Sequence, residues 1–351
     1  MPTMKWTGNG IRIIDQTRLP SDEIYLDLVT LEEVCEAIGT LRVRGAPALG
    51  IIGAMGLALA ARIALNEGAD VMPAVAAAAE RLRATRPTAV NLGWALDRVL
   101  DRLKSEGPES PGEIFACLEK ESLRIHAEDL EMSRAMGRAG AAILPSGARI
   151  LTHCNTGGLA TGGLGTALDV AFEAHLQGKN PHVFADETRP LLQGARLNAW
   201  ELKRNGIPVT VQVDGAAPWL IKSRGIDIIL YGADRIARNG DTANKIGSYM
   251  LSLAAQAHKV PLYVVAPTSS FDSKIPDGEA IPIEDRGEEE VTLWGGRRTA
   301  PEGIDVFNPA FDITPATHIT GWITEGGILQ PPFTEKRLAA ARSSMMRGGT
   351  R

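Results

Sequence analysis

Cysteine is scarce in this chain, with three residues among 351, Cys35, Cys117 and Cys154, and no C-x-x-C pair. That spacing excludes a disulfide framework and a structural zinc site, and it fits a reducing, cytoplasmic setting. Aromatic residues are few, 4 Tyr and 7 Phe, and the formal net charge is only -5. A nucleic-acid or membrane-surface binder needs a basic stripe, and this composition supplies none. A small anion is not excluded, because a few arginines and backbone N–H groups can bind one locally. The opening MPTMKWTGNG has no apolar segment of the secretory kind. The uncharged run at 46–61 is shorter than the ~20 residues that span a bilayer and is rich in Ala and Gly. It predicts a close-packed buried helix, not a membrane anchor.

Nucleotide fingerprints are missing too. The stretch Gly157-Gly158-Leu159-Ala160-Thr161-Gly162-Gly163-Leu164-Gly165 invites a nucleotide reading but fits neither G-x-G-x-x-G nor the Walker pattern. Its glycines instead predict backbone N–H groups close to a phosphate or polar sugar at a helix N-terminus. No metal and no cofactor is expected. His153 neighbours Cys154 in an extended strand, so the two side chains point apart, and the other histidines are isolated.

What is present is an ordinary globular composition, 44% hydrophobic and 23% charged. The length predicts two domains, at roughly 100–200 residues each. Residues 1–130 read as mainly helical with a small β element at 11–14. Thr30 and Glu33 form a capping box that starts a helix, and Pro47 is well placed to begin the next. Further helices are expected at about 72–84, 89–104 and 112–142. Residues 131–341 read as an α/β domain, and 342–351 as a flexible tail. Short apolar strands at 149–153, 182–185, 209–213, 226–231 and 262–266 alternate with amphipathic stretches, the rhythm of an open, mostly parallel sheet.

In such a sheet ligands bind outside the carboxyl ends of the strands. The five strands run into Cys154, Asp186, Asp214, Asp234 and Thr268 with their neighbours, so these polar clusters should share one edge. Cys154 ends a buried strand before the Gly-rich stretch, a placement that favours the thiolate. Asp234 follows a strongly apolar strand, and desolvation favours its protonated, proton-donating form. The two make a base and acid pair. Arg44 and Arg86 each precede a helix start, where a fixed cation joins unsatisfied backbone donors. Asn244 and Lys245 add an amide and a cation near Asp234, and Gln193 a neutral donor and acceptor. For Cys154 the alternative is a small buried hydrophobe, for Asp234 a helix cap, and for either arginine a solvated surface charge.

Taken in order, Arg44-Gly45-Ala46-Pro47, Thr152-His153-Cys154-Asn155-Thr156-Gly157, Asp186-Glu187-Thr188-Arg189-Pro190, Gln193-Gly194-Ala195-Arg196-Leu197, Gly232-Ala233-Asp234-Arg235, Asn239 to Lys245 and Asn308 to Pro315 resemble the methylthioribose-1-phosphate isomerase family. The resemblance runs from about Trp6 to Phe333. Gly158 stands where the family pattern has Ala, and Thr324-Glu325-Gly326-Gly327 differs slightly from the usual ending. The resemblance implies a helical N-terminal domain, a Rossmann-like C-terminal domain and a homodimer formed through the latter. It places the catalytic pair on Cys154 and Asp234, and substrate binding on Arg44, Gly45, Ala46, Arg86, Gln193, Asn244 and Lys245. It implies isomerisation of a sugar phosphate, 5-methylthioribose 1-phosphate, to its ketose. The competing readings are a related sugar 1-phosphate, either 5-deoxyribose 1-phosphate or ribose 1,5-bisphosphate, and a non-catalytic regulatory subunit of the same superfamily.

Overall fold

The computed structural model describes residues 3–87, 89–334 and 336–341, so the tail expected at 342–351 lies outside the described residues. The chain forms two compact units, Met1–Ser133 with Gly157–Gly165, and Arg134–Thr156 with Thr166–Arg351. The crossing between Ser133 and Arg134 falls inside one long helix. The Gly-rich segment, however, belongs to the first unit.

In that unit β1 (Met4–Trp6), β2 (Ile11–Ile14) and β3 (Tyr25–Leu28) form an antiparallel meander. Only the middle strand was legible in the sequence. Helix α1 (Leu31–Gly39) starts at the capping box, with Glu33 N donating to Thr30 Oγ1 and Thr30 N donating to the Glu33 carboxylate. Helix α2 (Ala46–Glu67) is longer than the uncharged run and passes a membrane span's test of length and composition. Within its most apolar 18-residue window 83% is buried, so it is the core helix of this unit. Each buried Leu or Ile there contributes roughly 1.5–3 kcal/mol, against about 0–1 for an exposed ion pair such as Arg12–Asp27. Helices α3 (Val71–Thr85), α4 (Val90–Glu106) and the long α5 (Pro111–Ile143) complete the bundle. At Gly50 a Cβ would lie 3.0 Å from the Asn91 carbonyl of α4, and at Gly53 it would meet the Leu92 side chain, so the two glycines permit the close approach of α2 and α4.

The segment Gly157–Gly165 does not open an α-helix. It makes one 3-10 turn, Gly158–Ala160, because its backbone groups are taken by the first unit. Thr3 Oγ1 donates to Gly158 O (2.5 Å) and Gln16 Nε2 to Leu159 O (2.7 Å). Gly162 is gripped at both ends of its peptide, its N–H donating to Asp129 Oδ2 and its C=O accepting from His126 Nε2, each at 2.7 Å. Burial pushes the Asp129 carboxyl up to about 6, with the Gly162 N–H pulling the other way. Gly45 has φ +103, and a Cβ there would lie 2.5 Å from Ala160 Cα. Gly45→Ala is therefore expected to lower the urea unfolding free energy by about 2 kcal/mol or more, as overpacking against backbone does. An unchanged urea midpoint would show that the segment gives way freely.

The second unit is built on a seven-stranded sheet. Its strands are β4 (Arg149–Thr152), β5 (His182–Asp186), β6 (Val209–Gln212), β7 (Ile228–Tyr231), β10 (Leu262–Val265), β15 (Gly321–Thr324) and β16 (Gly327–Leu329). Their order is β16-β15-β10-β7-β4-β5-β6, parallel except for the β15–β16 hairpin. The crossovers include α6 (Ala167–Leu176), α7 (Ala199–Arg204), α8 (Ala217–Arg224) and α9 (Ser248–His258). A four-stranded sheet of β8 (Arg235–Ala237), β9 (Thr242–Lys245), β11 (Phe271–Asp272) and β14 (Phe311–Thr314), and a ribbon of β12 (Leu293–Trp294) and β13 (Arg297–Arg298), complete the strands. All five strands read from the sequence are parallel neighbours. The four-stranded sheet was not legible, since its strands are two to four residues long and lack clean alternation.

Candidate active site

Strand order locates the site. From β4 the chain winds outward through β5 to β6, then returns to the other side of β4 as β7 and continues to β10. The order therefore reverses between β4 and β7, and the crevice at the carboxyl ends of those two strands is the sheet's topological switch point. Thr152 pairs with Leu230, so Cys154 leaves β4 level with Gly232 and two residues short of Asp234. The two candidate catalytic residues thus follow the two strands that flank the switch.

Cys154 is half-buried and carries φ +64, a left-handed conformation that a side chain disfavours. Its N–H donates to Thr188 Oγ1 (2.9 Å) and its C=O accepts from Asn198 Nδ2 (2.7 Å). The expected helix N-terminus directly after the thiol is not there, since α6 begins only at Ala167. That helix nonetheless turns its start back, with Thr166 N and Leu168 N donating to Thr156 O at 2.8 and 3.2 Å. The helix start therefore bonds the chain two residues past Cys154, brought there by the tertiary fold and not by sequence adjacency.

His153 is completely buried. Its Nε2 faces Ile246 O (2.8 Å), which can only accept, so Nε2 carries a proton, while Nδ1 lies 3.0 Å from Asp186 Oδ2. Burial disfavours the imidazolium, but the hydrogen bond and charge of Asp186 outweigh it and raise the pKa. Asp186 Oδ1 accepts from Gln212 Nε2, and the two Asp214 oxygens accept from Thr188 N and Arg189 N. Among the described residues, His153, Asp186 and Asp214 are the one set whose donor atoms converge as metal ligands would. Every one of those atoms is already hydrogen-bonded, so the set holds the strand ends together. It ties β4 to β5, to the turn after β6 and, through Ile246, to the residue after Lys245.

Asp234 opens the β8–β9 hairpin. Its N–H donates to Ala243 O (2.9 Å), and Arg235 pairs with Ala243, which brings Asn244 back beside it. Lys245 Nζ lies 4.6 Å from the Phe311 ring centroid, a cation–π contact that fixes its ammonium. Asn244 and Gln193 are each only 3% exposed, and Asn244 Nδ2 and Gln193 Oε1 have no hydrogen-bond partner. An orphaned buried polar atom costs about 1–3 kcal/mol. Asn244 lies inside β9 and Gln193 ahead of the turn at Gly194, so these two open amide atoms are candidates for ligand contacts. Gln193 precedes a π-helical turn, Gly194–Asn198, and at Gly194 a Cβ would strike the Asp186 carbonyl. Asn198 escaped the sequence reading, because its partners Cys154, Asn155 and Thr156 lie more than 40 residues earlier in the chain.

Arg44, Gly45, Ala46 and Arg86 belong to the first unit. Gly45 caps α2, and Arg86 lies between α3 and α4; neither α2 nor α4 has a side-chain cap. A Cβ on Gly50 would lie 3.0 Å from Asn91 O, so the two helix starts lie side by side. The structure thus groups these four residues with one another, and Cys154, Asp234, Gln193, Asn244 and Lys245 around the switch point.

A doubly wound sheet with a thiol, a carboxyl and unsatisfied amides at its switch point, and no nucleotide fingerprint, defines an α/β enzyme of small-molecule substrates. The chain matches the Initiation factor 2 subunit family over residues 42–331. It is 50% identical over 337 residues to the methylthioribose-1-phosphate isomerase of Pelotomaculum thermopropionicum, covering 95% of this chain and 93% of that one. The crystal structure of 5-methylthioribose 1-phosphate isomerase from Pyrococcus horikoshii superposes with a TM-score of 0.90 at 42% identity, covering 99% and 96%. One described as translation initiation factor eIF-2B, subunit delta, from A. fulgidus superposes at 0.87 and 40% identity, covering 96% and 99%. The chain belongs to the methylthioribose-1-phosphate isomerases, within the initiation factor 2 subunit family.

The orphaned amides separate binding from folding. Gln193→Met is expected to leave the ligand-free unfolding midpoint unchanged or slightly raised, since no hydrogen bond is lost, while KM rises at least tenfold. A destabilised variant with normal KM would mean that Gln193 serves the fold.

Proposed function

We propose that the chain is an aldose–ketose isomerase converting 5-methylthioribose 1-phosphate to 5-methylthioribulose 1-phosphate, the step that the family serves in methionine salvage. What supports this reading is that Cys154 and Asp234 follow the two neighbouring strands β4 and β7 that flank the switch point, with the buried Asn244 Nδ2 in the strand that pairs next to Asp234. A non-catalytic subunit has no use for buried amides left open to a small ligand.

The phosphate on the anomeric oxygen blocks spontaneous ring opening, so the enzyme must break the C1–O4 bond itself. Asp234, acting as the acid, gives a proton to O4 as that bond breaks. Hydrogen then moves from C2 to C1. In one route Cys154 thiolate takes it as a proton, leaves a C1–C2 enol phosphate and returns a proton to C1. In the other the hydrogen shifts directly as hydride. In both, the O2 hydroxyl proton leaves to restore Asp234, and C2 becomes the ketone. Arg44, the Gly45 and Ala46 backbone, Arg86 and Lys245 are assigned to phosphate, and Gln193 and Asn244 to hydroxyl or phosphate oxygens, as the family motifs imply. Both routes need water excluded, which fits the fully buried β7 ahead of Asp234.

We also propose a cytoplasmic homodimer formed through the second unit. None of the three cysteines is in a disulfide, and that unit exposes Val211, Val213 and Trp219 on and after its edge strand β6.

The test is ketose phosphate formation from a panel of ribose 1-phosphates without added metal or cofactor. Turnover of 5-methylthioribose 1-phosphate is expected to exceed that of ribose 1,5-bisphosphate, whose second phosphate needs further cations. Cys154→Ser and Asp234→Asn should each fold and lose at least ~100-fold in turnover, the lower range of acid–base catalysis. Either variant keeping full activity removes that residue from the mechanism. In D2O, deuterium at C1 of the product supports the proton route, and complete retention of hydrogen supports the hydride shift.

A further inference from the structure

Cys154 is held from both sides by groups to which the catalytic reading gives no role. Its N–H donates to the Thr188 hydroxyl and its C=O accepts from the Asn198 side-chain amide, and both of those residues have no solvent exposure. Each holder is itself fixed. Thr188 Oγ1 donates to Asp186 O (3.1 Å), so its lone pair faces Cys154. Thr188 also has φ +64, rarer still for a β-branched residue. Its backbone is kept there by Asp214, whose two oxygens take the N–H groups of Thr188 and Arg189 at 2.7 Å each, and by Leu192 N, which donates to Thr188 O (2.8 Å).

Asn198 Oδ1 accepts from Thr156 N (3.1 Å) and Asn155 Nδ2 (2.8 Å), which leaves Nδ2 only one orientation, toward Cys154 O. The π turn explains how Asn198 reaches this position. In an α-helix, residues five apart lie about 140° apart around the axis. In Gly194–Asn198 the Ala199 N–H instead bonds Gly194 O, five residues back. That widened turn lets Asn198 serve the Cys154 loop while Gln193, at its start, keeps its own amide open. π turns of this kind gather at functional sites.

We propose that Thr188 and Asn198 are positioning residues: together they clamp Cys154 in its left-handed backbone conformation and so aim the thiol at the substrate. A left-handed non-glycine residue persists only where its surroundings hold it. Relaxation of Cys154 to a right-handed or extended backbone would rotate both flanking peptides and break both bonds. The kinetic arm of the test rests on the isomerase reading, and the chemical arm does not.

Thr188→Val keeps shape and branching but removes the acceptor, Thr188→Ser keeps the acceptor, and Asn198→Asp keeps the acceptor toward Thr156 N while losing the donor toward Cys154 O. Each is compared with the wild type in kcat, KM and the rate of Cys154 alkylation by iodoacetamide, in which the thiolate displaces iodide. Alkylation is read by mass spectrometry with Cys35 as internal reference. Thr188→Val and Asn198→Asp should lose at least tenfold in kcat with KM within twofold, and Cys154 alkylation should slow by a similar factor. Thr188→Ser should restore both to within about threefold of wild type. Wild-type kcat and alkylation in Thr188→Val, or in Asn198→Asp should the valine variant fail to fold, would overturn the clamp. So would a Thr188→Ser protein as impaired as the valine one. A wild type inactive on 5-methylthioribose 1-phosphate would sink the isomerase reading alone, leaving the alkylation rates to decide the clamp.

Discussion

One residue at the end of β4 sits where a side chain does not willingly sit, and much of the second unit is arranged to keep it there. The φ of +64 at Cys154 needs the hydroxyl of Thr188 and the amide of Asn198. Those need Asp214, the Asp186 carbonyl and the π turn. The neighbouring His153–Asp186 pair links the same strand end to Ile246 behind Lys245. Left-handed non-glycine residues cost of order 1–3 kcal/mol, and each neutral hydrogen bond returns about 1 kcal/mol. No single contact therefore holds the thiol, and a network is required.

Sequence and structure agree where the physics is local or follows from strand rhythm. The capping box at Thr30 and Glu33, the five strands and the parallel sheet were legible because apolar runs separated by helical stretches leave few topologies. The edge carrying Cys154 and Asp234 followed from that sheet alone. The Gly-rich segment was not legible. Its fate is set by Thr3, Gln16, His126 and Asp129, up to 155 residues away in sequence, and no window around it contains them. Asn198 was missed for the same reason, since the groups it bonds, in Cys154, Asn155 and Thr156, lie more than 40 residues away. Resemblance to a known family supplied what neither periodicity nor spacing does, namely Gly45 and Ala46, whose role is carried by backbone.

The fold itself does not choose the chemistry. Solved relatives near 40% identity include both an isomerase and a protein described as a translation factor subunit, as expected when function resides in sites placed on a shared scaffold. Within this chain the polar groups near the switch point differ in state. Asp214, Asp186 and His153 are hydrogen-bonded throughout, whereas Gln193 Oε1 and Asn244 Nδ2 remain open.

The most direct measurement is a crystal structure of the protein with 5-methylthioribulose 1-phosphate bound. It should place C1 and C2 beside Cys154 Sγ, the ring oxygen's product hydroxyl near Asp234, and ligand oxygens within hydrogen-bond distance of Gln193 Oε1 and Asn244 Nδ2. A ligand bound away from the β4–β7 switch point, with both amides still unsatisfied, would contradict the account.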